Sequence, residues 1–298
     1  MDERARGCLW GTALGDALGL CREGLSARRG QSMYPDLERY QLFGGRGLCS
    51  DDTEHAAFTY WALSGAADVG DFERRLGHAF RRWMRTLPAG VGWATLRAGL
   101  LGRGVHSAGN GPLMRVPVLA VAGPPDLEDY LRVSTRLTHT DPRVLERARQ
   151  LAQVTRYLSG LCPWPEIPGL NEHPDQTPEE FVQARGWSGV SGFVEHTAPV
   201  VMLAALRHRD DFRQAVQSVI RCGGDTDTTA ALVGGILGAR LGGSGLPQDW
   251  LHAYGDWPHS LEQLQSGRLA PFTASLARNL VFGTCVLGYG LRRLLPPY

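Results

Sequence analysis

The sequence contains no lysine: all 31 of its basic residues are arginine. This absence excludes a Schiff-base lysine and a lysine that clamps phosphate. The sequence also contains 30 acidic residues, so the formal net charge is only +1. A balance this even carries no signature of nucleic-acid binding or of attraction to a charged membrane.

The six cysteines form no recognisable motif. None shows the C-x-x-C spacing of a zinc or redox site, so we expect reduced, mostly buried thiols in a cytosolic protein. The start of the chain lacks the apolar core of a signal peptide, and no apolar run reaches the roughly 20 residues of a membrane span. We therefore expect a cytoplasmic monomer with no membrane contact.

Isoleucine is scarce, and strand-like alternation of apolar and polar residues is hard to find. An apolar stripe from Phe72 to Trp83 predicts a helix that Asp71 could cap, and Asp141 before Pro142 predicts the start of another. The pattern indicates a mainly or wholly α protein. Further predicted helices span 5–20, 52–64, 93–101, 126–137, 193–207, 211–221, 227–241 and 273–293.

Glycines recur every four residues in two of these helices. Each glycine costs a helix about 1 kcal/mol relative to alanine, so we expect close packing that compensates. Each set would form a flat strip that admits another backbone. The two sets are Gly11, Gly15, Gly19 and Gly234, Gly238, Gly242.

The proline-rich stretch 162–190 separates helices of similar character. We interpret it as a long loop or insertion within a single domain that spans residues 1–298.

The first acidic segment is Ser50-Asp51-Asp52-Thr53, at the start of a predicted helix. Ser50 could simply cap the helix, and the acids favour the positive end of its dipole. Capping alone therefore accounts for much of this segment.

The second acidic segment, residues 223–229, reads Gly-Gly-Asp-Thr-Asp-Thr-Thr. An EF-hand loop counted from Asp225 would need Gly and Glu where Ala230 and Ile236 stand, which excludes that site. Capping could explain one of the two acids, Asp225 or Asp227, but hardly both behind two glycines.

If the two segments converge, their four carboxylates would repel each other and raise each other's pKa. A cation would relieve this repulsion. Because the donors are all oxygen atoms, they suit Mg²⁺ or Mn²⁺ rather than structural Zn²⁺. The sequence therefore predicts divalent metal ions that are used for hydrolysis.

Three further features are weak when taken alone. Gly109-Asn110-Gly111 precedes a predicted helix, where backbone N–H groups suit a phosphate, although Asn-Gly is also a common turn. His139 stands just before a capped helix, and Glu23 lies in a predicted loop. Each of these two would be unremarkable by itself.

Taken in order, five segments resemble the ADP-ribosylglycohydrolase family, and the resemblance spans residues 7–243. It implies an all-α, single-domain fold: a compact orthogonal multi-helix bundle with a binuclear metal centre in a central cleft. The segments are Gly-Asp-Ala-Leu-Gly at 15–19, Ser-Asp-Asp-Thr at 50–53, Gly-Asn-Gly-Pro-Leu-Met-Arg at 109–115, Thr-His at 138–139 and Gly-Gly-Asp-Thr-Asp-Thr at 223–228.

The resemblance also implies the roles of individual residues. Glu23 and Asp52 would be catalytic. Ser50 stands where the family usually has Thr; because its hydroxyl is retained, we expect metal binding to survive. The ligands of two Mg²⁺ or Mn²⁺ ions would be Ser50, Asp51, Asp52, Asp225, Asp227 and Thr228, and ADP-ribose would contact Gly109, Asn110, Gly111 and His139.

We therefore expect a metal-dependent hydrolase that cleaves the glycosidic bond between ADP-ribose and an acceptor. Its partner would be an ADP-ribosylated protein or small molecule, with arginine as the default acceptor. The alternatives are an ADP-ribose-binding module without turnover, a crystallin-like structural protein, and a hydrolase of a small ADP-ribose metabolite or nucleotide. The retained acids argue against the binding module and the structural protein.

Overall fold

Helices make up most of the chain, as the scarcity of strand-like alternation predicts. The structure, a computed structural model, describes residues 2–164, 167, 176–256, 261 and 268–296. The helices are α1 (Glu3–Gly19), α2 (Ala27–Met33), α3 (Asp51–Ser64), α4 (Val69–Met84), α5 (Trp93–Leu101), α6 (Val116–Ala122), α7 (Glu128–Arg136), α8 (Pro142–Leu158), α9 (Pro178–Ala184), α10 (Val194–Arg207), α11 (Phe212–Arg221), α12 (Thr226–Leu241), α13 (Gln248–Ala253) and α14 (Phe272–Arg292). Short 3₁₀ segments span Leu20–Arg22, Phe43–Gly45, Gly111–Arg115 and Gly243–Gly245.

The centre of the fold is a pair of helices, α1 and α12, whose backbones touch. A Cβ added to Gly11 would lie 2.1 Å from the carbonyl oxygen of Gly234, and one added to Gly238 would lie 2.0 Å from that of Gly7. The predicted glycine strips therefore face each other. One position differs: Gly242 stands just beyond the end of α12, with a φ of 69°, and not on its face.

The other large helices pack around this pair. α10 and α11 pack against α12, α3 and α6 pack against α1, and α8 lies against both α6 and α10. Fully buried apolar side chains fill the space between them, among them Leu9, Leu119, Leu151 and Met202. The packing therefore fixes the starts of α3 and α12, which carry the acidic segments, through their shared contact with α1.

One predicted cap is wrong. α4 begins at Val69, and its cap is Asp68, whose carboxylate accepts a hydrogen bond from the backbone N of Asp71 at 2.8 Å. Asp68 accepts from the backbone N–H of Asp71, so Asp71 belongs to the first turn of the helix and is not its cap. The cap predicted at Asp141 is confirmed, since its side chain accepts from the backbone N of Arg143.

The stretch 162–190 is not a loop throughout, because α9 lies inside it. Thr177 accepts a hydrogen bond from the backbone N of Glu180, whose carboxylate in turn accepts from the backbone N of Thr177. This reciprocal cap follows the Thr-x-x-Glu pattern, which the proline content of the stretch obscures. Residues 165–166 and 168–175 of this stretch lie outside the described part of the chain.

A short strand pairing departs from a wholly α fold. Strand β1 (Leu25–Ser26) pairs antiparallel with strand β2 (Gly223–Gly224). A pairing of two residues per strand contributes little stability. However, β1 begins two residues after Glu23, and β2 ends directly before Asp225.

The cysteines behave as expected. All six are free, and Cys8, Cys21, Cys49 and Cys222 are buried. Within the described ranges, no helix is both long enough and apolar enough to cross a membrane.

Replacing Gly11 with Ala should destabilise the protein, because the new methyl group meets a rigid backbone carbonyl of α12. Overpacking typically costs about 1–3 kcal/mol, and we expect a loss at or above the top of that range. Gly288→Ala is the matched control, since nothing lies within 4 Å of its Cβ position in α14 and alanine favours a helix by about 1 kcal/mol. Urea unfolding compares the two variants, and a neutral Gly11→Ala would contradict the close contact.

Candidate active site

The starts of α3 and α12 open into one cleft. Its lining includes five acidic side chains, which come from three separate parts of the chain: Glu23, Asp51, Asp52, Asp225 and Asp227. Ser50 is buried next to Asp52 and does not line the cleft itself. The other predicted site residues in the lining are Gly109, Asn110, Gly111, His139 and Thr228.

Asp16 of α1 organises the first acidic segment. Its carboxylate accepts hydrogen bonds from the backbone N of Ser50 at 2.9 Å, the backbone N of Thr53 at 3.1 Å and the hydroxyl of Thr53 at 2.5 Å. Ser50 caps α3 as predicted, because its Oγ accepts from the backbone N of Asp52. The buried Asp16 therefore ties the first turn of α3 to α1.

Glu23 and Asp225 are brought together by the pairing of β1 with β2. The backbone N of Gly24 donates to the carbonyl oxygen of Gly224 at 2.7 Å, so the residues that flank this contact, Glu23 and Asp225, become neighbours. Gly224 has a φ of 86°, and a Cβ there would lie 2.1 Å from the carbonyl oxygen of Val190. Only glycine fits this position.

The chain from Val190 to Gly192 lies between the second acidic segment and the Gly-Asn-Gly loop. The backbone N of Asp225 donates to the oxygen of Val190 at 2.6 Å, and the backbone N of Asn110 donates to the oxygen of Gly192 at 2.9 Å. Each segment of this part of the cleft is therefore hydrogen-bonded to the next through its backbone. No periodic pattern in the sequence signals such irregular pairing.

Asn110 joins the loop to the second acidic segment through its side chain. Its Nδ2 donates to Asp225 Oδ2 at 2.6 Å and to Thr197 Oγ1 at 3.0 Å. The backbone N of Gly109 donates to Ser107 Oγ at 3.2 Å. The N–H groups of Gly109 and Asn110, which the sequence suggests for a phosphate, are thus engaged within the protein.

The ring of His139 lies against the glycines of this loop. A Cβ at Gly109 would stand 3.0 Å from His139 Nε2, and one at Gly111 would stand 3.2 Å from His139 Cε1. Both glycines therefore let the backbone pass close to the imidazole. Burial, with the positive charge of Arg115, lowers the pKa of His139 to about 4, which keeps the ring neutral at neutral pH.

Burial and neighbouring charge raise the pKa of several acids in and beside the cleft. Burial, followed by the charges of neighbouring acids, raises the pKa of Asp51, Asp52 and Asp227 well above the usual range. Burial also raises the pKa of Asp16 to about 6. Burial and the charge of Asp225 raise the pKa of Glu23 to about 7.

Two of these carboxylates keep a buried oxygen without a partner. Asp52 Oδ2 accepts from the hydroxyls of Ser50 and Thr228, at 3.1 and 3.2 Å, but Asp52 Oδ1 and Asp227 Oδ1 have no hydrogen-bond partner. Buried polar atoms without partners are uncommon and often belong to functional sites. Among the described residues, however, no three His, Cys, Asp or Glu side chains are grouped closely enough to form a metal site by themselves.

Comparison with known proteins agrees with this architecture. A model of the ADP-ribosylglycohydrolase family matches residues 1–279. The chain is 30% identical over 277 residues to ADP-ribosyl-(dinitrogen reductase) glycohydrolase of Rhodospirillum rubrum, covering 84% of this chain and 90% of the relative. A solved structure, an ADP-ribosylglycohydrolase-related protein complex, superposes with a TM-score of 0.61 at 29% identity, over 93% of this chain and 98% of the other.

Two further relatives are ADP-ribosylhydrolase ARH3 of Bos taurus and ADP-ribosylarginine hydrolase Tri1 of Pseudomonas putida. Each is 26% identical; the first match covers 83% of this chain and 87% of the relative, the second 88% and 76%. The fold, the acidic cleft and these matches together define a helical enzyme of the glycosyl hydrolase class. The chain belongs to the ADP-ribosylglycohydrolase family, and its enzymatic class is that of the ADP-ribosyl hydrolases.

Asp52→Asn should stabilise the protein in the absence of divalent cations at pH 8. A raised folded-state pKa means that the unfolded chain loses its proton first, so the carboxylate destabilises the fold increasingly as pH rises above the unfolded value of about 3.9. Asparagine removes the charge but can still accept from Ser50 and Thr228. We expect a gain in the free energy of unfolding at pH 8 that shrinks toward pH 5.

Asp16→Asn is the contrasting variant in this experiment. Both oxygens of Asp16 accept from the backbone N–H of Ser50, so an amide NH₂ would face that N–H in either orientation and should destabilise the fold. Urea titrations at pH 5 and pH 8 in EDTA measure both variants. A loss of stability for Asp52→Asn that is the same at both pH values would contradict the assignment of a destabilising buried charge.

Proposed function

We propose that this chain hydrolyses the glycosidic bond between ADP-ribose and an acceptor in the acidic cleft, with the help of two divalent cations, Mg²⁺ or Mn²⁺. The observation that carries the proposal is the convergence of five acidic side chains on one cleft, with buried oxygens of Asp52 and Asp227 left without partners. Buried acids that repel one another are stabilised when a cation lies between them.

The chemistry of the donors fits a hard cation. Carboxylate and hydroxyl oxygens are the ligands that Mg²⁺ and Mn²⁺ prefer, and no sulfur atom or paired imidazole belongs to the set. When bound, the cations would supply Lewis-acid polarisation and would orient the oxygens of the substrate. The residues that would hold them are Ser50, Asp51, Asp52, Asp225, Asp227 and Thr228.

Glu23 is the group to which we assign proton transfer. It is half-buried in the cleft lining beside Asp225, and burial raises its pKa to about 7. A carboxyl group with such a pKa exchanges a proton readily near neutral pH. Glu23 would take a proton from the attacking water or give one to the leaving group, with Asp52 as the second candidate for this role.

The remaining acids and the Gly-Asn-Gly loop serve binding and charge stabilisation. Cleavage at an anomeric carbon builds positive charge on the sugar ring, and nearby carboxylates stabilise that charge. Gly109, Asn110, Gly111 and His139 would contact the ADP-ribose. The loop offers a smooth backbone surface beside the His139 ring.

Arginine is the acceptor that we propose. The Pseudomonas putida relative is named as an ADP-ribosylarginine hydrolase, and its match covers 88% of this chain. The absence of lysine excludes lysine-based catalysis.

Glu23→Gln should lower kcat by about 10²–10⁴-fold, the usual contribution of one general acid or base. Binding of ADP-ribose and of the metal should change little, because glutamine keeps the size of the side chain. Glu73→Gln, at an exposed position of α4, is the matched control and should keep the wild-type rate. Release of free ADP-ribose from an arginine-linked substrate is the measurement, and a wild-type rate for Glu23→Gln would remove Glu23 from the mechanism.

Chelation with EDTA should abolish activity, and added Mg²⁺ or Mn²⁺ should restore it. In a panel of acceptors, which includes arginine-linked and serine-linked ADP-ribose and a small ADP-ribose ester, the arginine-linked substrate should be cleaved fastest. Activity that survives EDTA would contradict the metal proposal. Binding without release would indicate a binding module, and phosphate release would indicate a nucleotide hydrolase.

A further inference from the structure

We propose that Arg115 and Thr138 hold His139 in the tautomer that carries its proton on Nε2, so that His139 offers the substrate a hydrogen-bond donor and not an acceptor. The two act as positioning residues for a ring in the cleft lining. The tautomer follows from the hydrogen bonds alone, whereas its use in substrate binding rests on the proposed function.

The starting point is the guanidinium of Arg115, which is almost completely buried. Its Nε donates to Ser134 Oγ at 3.0 Å, and its Nη2 donates to the carbonyl oxygen of Ser134 at 2.9 Å and to Thr138 Oγ1 at 3.0 Å. A guanidinium has donors and no acceptor. The hydroxyl oxygen of Thr138 therefore accepts in its contact with Arg115.

The direction of the next hydrogen bond follows from this. Thr138 Oγ1 lies 2.9 Å from His139 Nδ1, and within the described ranges its hydroxyl has no other acceptor. A threonine hydroxyl carries a single proton, which here can only go to Nδ1. Because Nδ1 accepts, the proton of the neutral imidazole must lie on Nε2.

His139 lines the cleft, and its Nε2 lies beside the Gly-Asn-Gly loop. Nε2 is the atom that a Cβ on Gly109 would meet at 3.0 Å, on the side of the Gly-Asn-Gly loop. A ring that stays neutral and is fixed in this tautomer presents only N–H to a ligand there. It therefore selects oxygen acceptors, such as the oxygens of a diphosphate or a ribose, and disfavours groups that can only donate.

Arg115 also reaches the helix that carries the first acidic segment. Its Nη1 lies 3.2 Å from Nδ1 of His55, which belongs to α3, three residues after Asp52. The guanidinium must donate there as well, so one buried side chain bonds both α3 and the hydroxyl that orients His139. The donor at Nε2 is thereby held at a fixed position relative to the acids.

The test is Thr138→Val, which keeps the shape of the side chain and removes the hydroxyl. Nitrogen-15 spectra of the wild-type imidazoles, with the His139 signals assigned by their loss in His139→Gln, should show a neutral Nε2–H tautomer at pH 7. Thr138→Val should shift His139 toward a mixture of tautomers. It should also raise KM, and the Kd for ADP-ribose, by about tenfold, the size of one hydrogen bond, with little change in kcat.

Two further variants serve as controls. Thr138→Ser keeps the hydroxyl and should restore the tautomer and the Kd, whereas Thr140→Val removes an exposed hydroxyl two residues away and should change neither. A wild-type His139 with its proton on Nδ1, or an unchanged tautomer and Kd in Thr138→Val, would overturn the inference. If the wild type shows the Nε2–H tautomer but does not bind ADP-ribose, the tautomer assignment stands and the proposed function fails.

Discussion

The backbone contact between α1 and α12 is the constraint on which the site depends. α1 carries Asp16, and the second acidic segment lies at the start of α12. The distance between these two helices therefore sets how deeply the acids are buried. The contact continues to the cleft, where Thr226 Oγ1 donates to the carbonyl oxygen of Gly19 at 2.8 Å. Side chains larger than hydrogen along this line would separate the helices and widen the site.

This close packing has an electrostatic consequence. Helices that approach this closely exclude water, and acids at their ends lose the solvation that would keep their pKa values low. Burial beside this contact is the main cause of the raised pKa of Glu23, Asp52 and Asp227. Stability and function are opposed here, because the close packing that the glycines permit stabilises the fold, whereas the buried acids beside it destabilise the protein at neutral pH.

Sequence periodicity predicts all ten helices of nine or more residues in the described part of the chain, with apolar faces that recur at helical spacing in α4 and α8. It gives no bounds for the four shorter helices α2, α6, α9 and α13. It could not predict how Glu23 and Asp225 meet, since that depends on a two-residue pairing between segments about 200 residues apart. Nor does the sequence indicate Asp16 as an organiser, because nothing local shows that its carboxylate reaches the N–H groups of Ser50 and Thr53. Motif order suggested these residues belong together, and backbone hydrogen bonds explain how.

The hydrogen bonds also distinguish an acid whose oxygens are both satisfied within the protein from two acids that each keep an oxygen without a partner. Asp16 is as buried as Asp52, and burial raises the pKa of both side chains. Yet both oxygens of Asp16 are satisfied by donors of α3, so a ligand would have to displace bonds that hold the first turn together. Asp52 and Asp227 each keep an oxygen free of such bonds. A cation or substrate of the kind that we propose would gain most at these two oxygens, because it would not have to displace an existing hydrogen bond there.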